Sequence, residues 1–352
     1  MFIHALMNRI SQIALLLGFA AILTAQQPAP NTFTNPLLPS GPDPWVTSYK
    51  DAYYYMATTG HNLTLWATPD ITDLAHAQKR VVWTPPATGP YSHDIWAPEI
   101  HRFDGKWYIY FAADAGTNDS HRIYVLENPS DDPMQGEWAF KGQVTDRTNK
   151  WAIDASAFEL HGQKYMIWSG WQGDTDGEQD IFIAHLKNPW TIDSERTLLS
   201  RPQYPWEEVG DMLNRPSMPH LNVNEGPEIL IHNEDVFLIY SASACWTDYY
   251  ALGVLRARAG DNLLDTKSWR KYDHPFFHQN PEGGVYATGH NGFFQSPDGK
   301  QDWIIYHANS QKGQGCGPQR SPRIQPFTWN PDGTPNFGPA LPAGQPLAGP
   351  SR

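Results

Sequence analysis

Asn224-Glu225-Gly226-Pro227-Glu228-Ile229-Leu230, followed by His232-Asn233-Glu234-Asp235-Val236-Phe237-Leu238-Ile239-Tyr240-Ser241, is the stretch on which the fold turns. It reads as an acid on a turn, a strand, a polar hairpin turn and a second strand ending in small residues. Gly226 and Pro227 punctuate the start, and Val236 to Tyr240 is an unbroken β-branched and aromatic run. Alone, this is an ordinary hairpin. The chain repeats it.

Ala97-Pro98-Glu99-Ile100 leads to Trp107-Tyr108-Ile109-Tyr110-Phe111 across Asp104-Gly105, a pair suited to two-residue hairpin turns. Asp154-Ala155-Ser156-Ala157-Phe158 leads to Tyr165-Met166-Ile167-Trp168, and His290-Asn291-Gly292-Phe293-Phe294 leads to Trp303-Ile304-Ile305-Tyr306-His307. The first copy is Asp43-Pro44-Trp45-Val46 with Tyr53-Tyr54-Tyr55-Met56. The leading residues Asp43, Ala97, Asp154, Glu225 and His290 are spaced by 54, 57, 71 and 65 positions. A third strand-like run follows each hairpin, such as Leu63 to Ala67 or Ile181 to Ala184, and several copies add a fourth apolar patch such as Val81-Val82-Trp83. A period near ~60 residues with about four antiparallel strands per unit predicts an all-β, five-bladed β-propeller. Five units fill residues 35–352 as a single domain.

Residues 1–25 carry Arg9, the apolar run Ile13 to Leu23 and then Thr24-Ala25, the pattern of a secretory signal whose apolar core is too short to span a bilayer. Residues 26–34 read as a short linker. The product is therefore expected to be secreted, with no membrane partner. A net charge of −12 excludes a nucleic-acid partner, whose phosphates it would repel. Fifteen Trp suit an aromatic-lined carbohydrate groove, and equally the core of any β protein. Cys245 and Cys316, the two cysteines, admit either a disulfide in an oxidising compartment or two buried thiols. No Cys/His spacing resembles a zinc site.

In a propeller the innermost strands all run the same way along the axis, so residues at one register form a ring at one face. Asp43, Asp154, Glu225 and His290 hold that register. An acid beside Pro or Gly usually serves its turn; three acids and a histidine at one repeated register point instead to a shared site. Three carboxylates without a Ser-His pair, a phosphate loop or a zinc motif fit proton chemistry on a glycosidic bond. One activates water, a second protonates the leaving oxygen, and a third tunes the acid by like-charge repulsion.

Over about residues 35 to 340 the chain resembles glycoside hydrolase family 43, five-bladed propeller enzymes that act on arabinan, arabinoxylan and xylan with inversion. Pro42-Asp43-Pro44 matches the general-base motif, Ile153-Asp154-Ala155 the segment with the pKa-modulating Asp, and Glu225-Gly226-Pro227 the general-acid motif, which favours Glu225 over Glu228. Trp96 in Trp96-Ala97-Pro98-Glu99 is then a sugar-contacting wall, and Trp45, Trp171, Trp246 and Arg323 join it as candidate substrate-binding residues. Gly289-His290-Asn291 matches a fifth-blade histidine that in many members faces an axial calcium ion and its waters; no cofactor is required for the chemistry itself. Ser241 to Trp246 and Gly315 to Arg323 look like the secreted exo-acting α-L-arabinofuranosidases. The resemblance implies a monomer acting on plant cell-wall arabinan, arabinoxylan or their oligosaccharides.

An endo-α-1,5-L-arabinanase or β-xylosidase on the same scaffold is the nearest alternative, since the residues alone do not separate arabinofuranose from xylose. A retaining fructan hydrolase is disfavoured because Gly41-Pro42-Asp43-Pro44 stands where its nucleophile motif would be. A non-catalytic glycan-binding propeller has no need of three acids at one register. Three long connections, Trp171 to Asp180, Arg201 to Leu221 and Phe276 to Thr288, favour exo action by walling one end of the groove.

Overall fold

Two-residue turns with both residues left-handed close the inner hairpins of blades 2 and 3: Asp104 and Gly105 have φ of 49° and 79°, and His161 and Gly162 have 51° and 76°. That geometry matches the right-handed twist of the flanking strands. The computed structural model describes residues 32–175, 177–211 and 220–352. Blade 1 comprises Trp45–Tyr49, Ala52–Met56, Leu63–Thr68 and Gln78–Trp83; blade 2 comprises His93–Phe103, Lys106–Asp114, Arg122–Asn128 and Ala139–Val144. Blade 3 has five strands, Ala152–Leu160, Gln163–Gly170, Asp180–Asn188, Thr191–Ile192 and Thr197–Ser200. Blade 4 is Asn224–His232, Asp235–Ala242, Ala251–Arg258 and Arg270–Lys271; blade 5 is Tyr286–Gln295, Asp302–Asn309, Ser321–Trp329 and Pro335–Asn336. The first strand of each blade touches the first strands of both neighbours, including blade 5 against blade 1. The molecule is the five-bladed β-propeller that the repeats predict.

Strand alternation explains why no central core is needed. Ile109 and Phe111 pack with Leu63 and Leu65 of blade 1, whereas Tyr108 and Tyr110 pack with Met166 and Phe182 of blade 3. Ile167 and Ile183 meet Leu238 and Leu255, and Ile239 and Val254 meet Ile304 and Tyr306. Val46 and Tyr55 of blade 1 close the ring on Ile305 and Ile324 of blade 5. Each such buried side chain contributes about 1.5–3 kcal/mol, so stability is distributed over five separate inter-blade cores.

The seam between blades 5 and 1 has extra fastenings. Thr32–Thr34, read from sequence as the end of a linker, is a strand paired with Pro346–Ala348. Asn35 is buried and exchanges two side-chain hydrogen bonds with the backbone of Ile324. The Leu37 and Gly41 amides donate to the carbonyls of Pro322 and Arg320. Residues 1–31, which include the whole signal segment, lie outside the described residues. Among those described, no helix is long and apolar enough to cross a membrane.

Candidate active site

Every inner strand carries a left-handed residue in its first half or two residues before it: Asp43 (φ 54°), Ala97 (42°), Asp154 (54°), Gly226 (53°) and His290 (47°). In blades 2 to 5 a β-bulge accompanies it, and a bulge places two residues opposite one and re-aims their side chains. In a non-glycine residue this backbone costs about 1–3 kcal/mol, a strain kept at Asp43, Asp154 and His290. The register also corrects a detail of the repeat alignment. Gly226, not Glu225, is the structural counterpart of the other leading residues, so Glu225 stands one position earlier. Only glycine suits position 226, because a Cβ there would lie 3.2 Å from the His290 ring in a left-handed backbone.

The three carboxylates nevertheless meet. A cavity of about 470 Å³ is lined by Asp43, Asp154, Glu225 and His290 at its base. Trp96, Trp151, Trp246 and the Cys245–Cys316 disulfide form its walls. Asn118, Gln179 and Leu221 line it as well. Trp96 stacks on His121 with ring centroids 4.1 Å apart. Trp151 donates its indole N–H to the Asn118 carbonyl (2.7 Å) and stacks on Trp171 (4.7 Å). Trp246 donates its own to the Gly210 carbonyl (2.9 Å).

Asp43 is surrounded by donors. Arg320 Nη1 lies 2.6 Å from Oδ1, and the Thr58 hydroxyl donates to Oδ2 at 2.6 Å while accepting the Ala97 amide at 2.7 Å. The Asp43 amide donates to His307 Nδ1 (3.1 Å), which fixes His307 as a neutral ring; burial holds its pKa well below the usual imidazole range. His290 Nδ1 is 3.4 Å from Asp43 Oδ1. Burial pushes the Asp43 carboxyl up, but Arg320 first, with His290 and Thr58, outweighs it and holds Asp43 well below the usual carboxylate range.

Asp154 and Glu225 have the opposite surroundings. Burial raises both; Glu225 is pushed up to about 7, with the charge of Asp43 adding and Tyr250 and Arg320 opposing. Asp154 is raised well above its ordinary range by burial and then by the charges of Glu225 and Asp43. Its Oδ2 accepts the Gly226 amide at 3.0 Å. Ionising Glu225 thus opposes the ionisation of Asp154.

The residues singled out from sequence divide into two groups. Asp43, Asp154, Glu225, Trp96, Trp246 and His290 line the cavity; Trp45, Trp171 and Arg323 do not. Trp45 stacks on His101 and donates to the Ile100 carbonyl. Trp171 is 2% exposed behind Trp151. Arg323 is fully buried, with Nη2 on the Ser310 hydroxyl, and the arginine beside the carboxylates is Arg320. Glu228 lies below the cavity, where it accepts from Ser156 (3.0 Å), and Glu99 pairs there with His101 (2.8 Å). Sequence reading missed Thr58, Trp151 and Arg320. Arg320 and Trp151 each sit immediately before a strand, as Asp43 sits near the start of one, and that position was the available signal.

The chain resembles known proteins along nearly its whole length. The model of glycosyl hydrolases family 43 matches residues 33–335. An extracellular exo-alpha-(1->5)-L-arabinofuranosidase of Streptomyces avermitilis is 39% identical over 339 residues, 94% of this chain and 68% of that protein. Alpha-L-arabinofuranosidase 43 of Humicola insolens is 34% identical over 340 residues, with the same two coverages of 94% and 68%. The crystal structure of an alpha-L-arabinofuranosidase from Lactobacillus brevis superposes with a TM-score of 0.81 at 34% identity, covering 89% of this chain and 98% of that one. A propeller whose blades bring a guanidinium-bound carboxylate and two carboxyls raised by burial into one cavity thus has its relatives among glycosidases, and the chain belongs to glycosyl hydrolases family 43.

Proposed function

We propose that this glycoside hydrolase is an extracellular, inverting α-L-arabinofuranosidase that removes terminal arabinofuranose from arabinan or arabino-oligosaccharides. One observation carries the chemistry: within a single cavity Asp43 is bound by Arg320, Thr58 and His290, whereas Asp154 and Glu225 have no such cation among the described residues and burial raises both. A low-pKa base facing a high-pKa acid is the division of labour that inversion needs. Asp43 takes a proton from a water as its oxygen attacks the anomeric carbon. The bond to the leaving oxygen breaks, and Glu225 gives that oxygen its proton. Asp154, bonded to the amide after Glu225, fixes the acid's backbone. Solvent then takes the proton from Asp43 and returns one to Glu225.

Exo action is supported by the way two long connections lock together. The Gln179 amide donates to the Asn222 carbonyl (3.0 Å), and the Asn224 amide donates back to the Gln179 carbonyl (2.9 Å). Gln179 thereby forms a parallel bridge with Val223, and Arg201 ties the same loops to Glu178 at 2.8 Å. Gln179 and Leu221 line the cavity from this wall. Residues 212–219 of the same connection lie outside the described residues. The relatives named exo-acting and extracellular point the same way, as does the signal-like segment at residues 1–25.

Calcium has no part in this reading. His290 offers one nitrogen, its neighbour Asp43 already carries Arg320, and among the described residues no three His, Cys, Asp or Glu side chains converge to hold a metal. The reaction as derived uses the chain's own acids and bases alone. Digestion of linear α-1,5-arabinan, followed by chromatography and proton NMR, tests the proposal. Arabinose appearing first, as the β-anomer, supports it; early mixed oligosaccharides or the α-anomer overturn it.

A further inference from the structure

Two loops at the active-site end meet across blades 4 and 5. The first, residues 243–250, is stitched to the wall segment before it: the Ser243 and Ala244 amides donate to the Glu207 and Val209 carbonyls. Glu207 is itself fully buried, held by the amides of Gln203 and Tyr204, the Tyr240 hydroxyl and Lys271. Cys245 therefore stands on a rigid footing. The second loop, residues 310–320, has Gln311, Lys312 and Gly313 exposed and left-handed glycines at 313 and 315. Cys316 of this loop is bonded to Cys245, and both cysteines line the catalytic cavity.

The residues just after Cys316 give the bond a catalytic meaning. The carbonyl of Gly317 accepts two hydrogen bonds from one residue, from the Arg320 amide at 3.3 Å and from Arg320 Nε at 3.2 Å. With Nε held there, the planar guanidinium turns Nη1 onto Asp43 Oδ1 at 2.6 Å. Asp43 and Arg320 are 277 positions apart and face each other across the seam of the ring. We propose that the Cys245–Cys316 disulfide is a positioning element of the catalytic base, because it fixes the Gly317 carbonyl that aims Arg320 at Asp43. The inference rests on the reading of Asp43 as base.

The sign of the effect is set by the site. Opening the bridge frees the glycine-rich loop, and Arg320 loses its fixed direction. Burial then acts on Asp43 without its cation, so the base stays protonated to higher pH. Activity should fall most in acid and recover as the pH rises. A bridge that served stability alone would lower the melting temperature and leave the pH profile where it was.

The experiment compares kcat/KM on nitrophenyl α-L-arabinofuranoside across pH for the parent, C245S/C316S, Arg320→Ala and the combination. The expected result is a low-pH limb moved up by about one unit in C245S/C316S, hence about a tenfold loss near the acid limb that recovers at alkaline pH. In the Arg320→Ala background the same two substitutions should change kcat/KM by less than about twofold, since coupled changes are not additive. An unmoved limb, or a full additional loss on top of Arg320→Ala, overturns the proposal. If C245S/C316S does not fold, the native protein is opened with a phosphine, which with one water becomes the phosphine oxide and leaves two thiols. The same limb shift is read while circular dichroism reports the fold. Asp43→Asn separates the two ideas: an active variant removes the base assignment, whereas an inactive one beside an indifferent disulfide removes only this inference.

Discussion

Asp43 and Asp154 are equally deep in one cavity and sit on equivalent left-handed residues of blades 1 and 3, yet their carboxyls are driven in opposite directions. Burial raises both. What differs is company: Asp43 has a guanidinium, a hydroxyl and two imidazoles, while Asp154 has one backbone amide and the carboxyl of Glu225. Depth alone does not make an acid or a base. Blade 5, through Arg320 and His290, decides which carboxylate stays charged.

The contrast breaks most completely at Glu225. Glu225→Gln keeps the shape but has no proton to give, so kcat should fall by about 10²–10⁴-fold, the usual worth of an acid–base group. The same variant should be more heat-stable than the parent at alkaline pH. Glu225 binds its proton more tightly folded than unfolded, with a pKa raised from 4.5 to about 7. Its favourable contribution is complete below the lower value and is lost as the pH rises through the higher one. Glutamine never ionises. Calorimetry that finds equal stabilities above pH ~8 would remove the acid's burial as the cause.

Arg320→Ala should have the next largest effect, a loss of about 10–100-fold in acid that shrinks as the pH rises, because Asp43 then ionises only at higher pH. A uniform loss at all pH values would mean that Arg320 binds substrate instead. Asp154→Asn sharpens the other side. Asp154 holds its proton to higher pH than Glu225, so the substitution removes the acceptor of the Gly226 amide rather than a charge: kcat should fall by about tenfold while the high-pH limb moves by less than about half a unit. A limb that moves down by a full unit would mean that Asp154 is ionised beside a protonated Glu225.

The repeats were legible because local signals agreed with the global fold. Turn pairs such as Asp104-Gly105 bound the hairpins, and the alternating runs assign every second residue to one inter-blade core or the next. The ring of acids followed from that register. The first misplacement, Glu225 by one position, came from a bulge: two residues oppose one, which a count of residues does not reveal. The others arose off the inner strands. Trp151 and Trp171 stack face to face and are equally buried, so only the assembled cavity tells which one lines it. Arg320 and Arg323 lie three residues apart, one just before a strand and one within it, fully enclosed near Tyr306. Both readings of Cys245 and Cys316 stood until two loops from different blades were seen to meet.

The short ribbon of Thr32–Thr34 against Pro346–Ala348 has a mechanical consequence. Thr32 pairs with Ala348 and Thr34 with Pro346, so both strands leave the ribbon at the same end. Tension applied between the two ends of the fold loads its hydrogen bonds one after another, as in unzipping, rather than all together in shear. Beyond the ribbon the load passes to Asn35 on Ile324, then to Leu37 on Pro322 and Gly41 on Arg320. Two residues further along is Asp43. Pulling on this enzyme from both ends would therefore disarm its base while four of its five inter-blade cores were still intact.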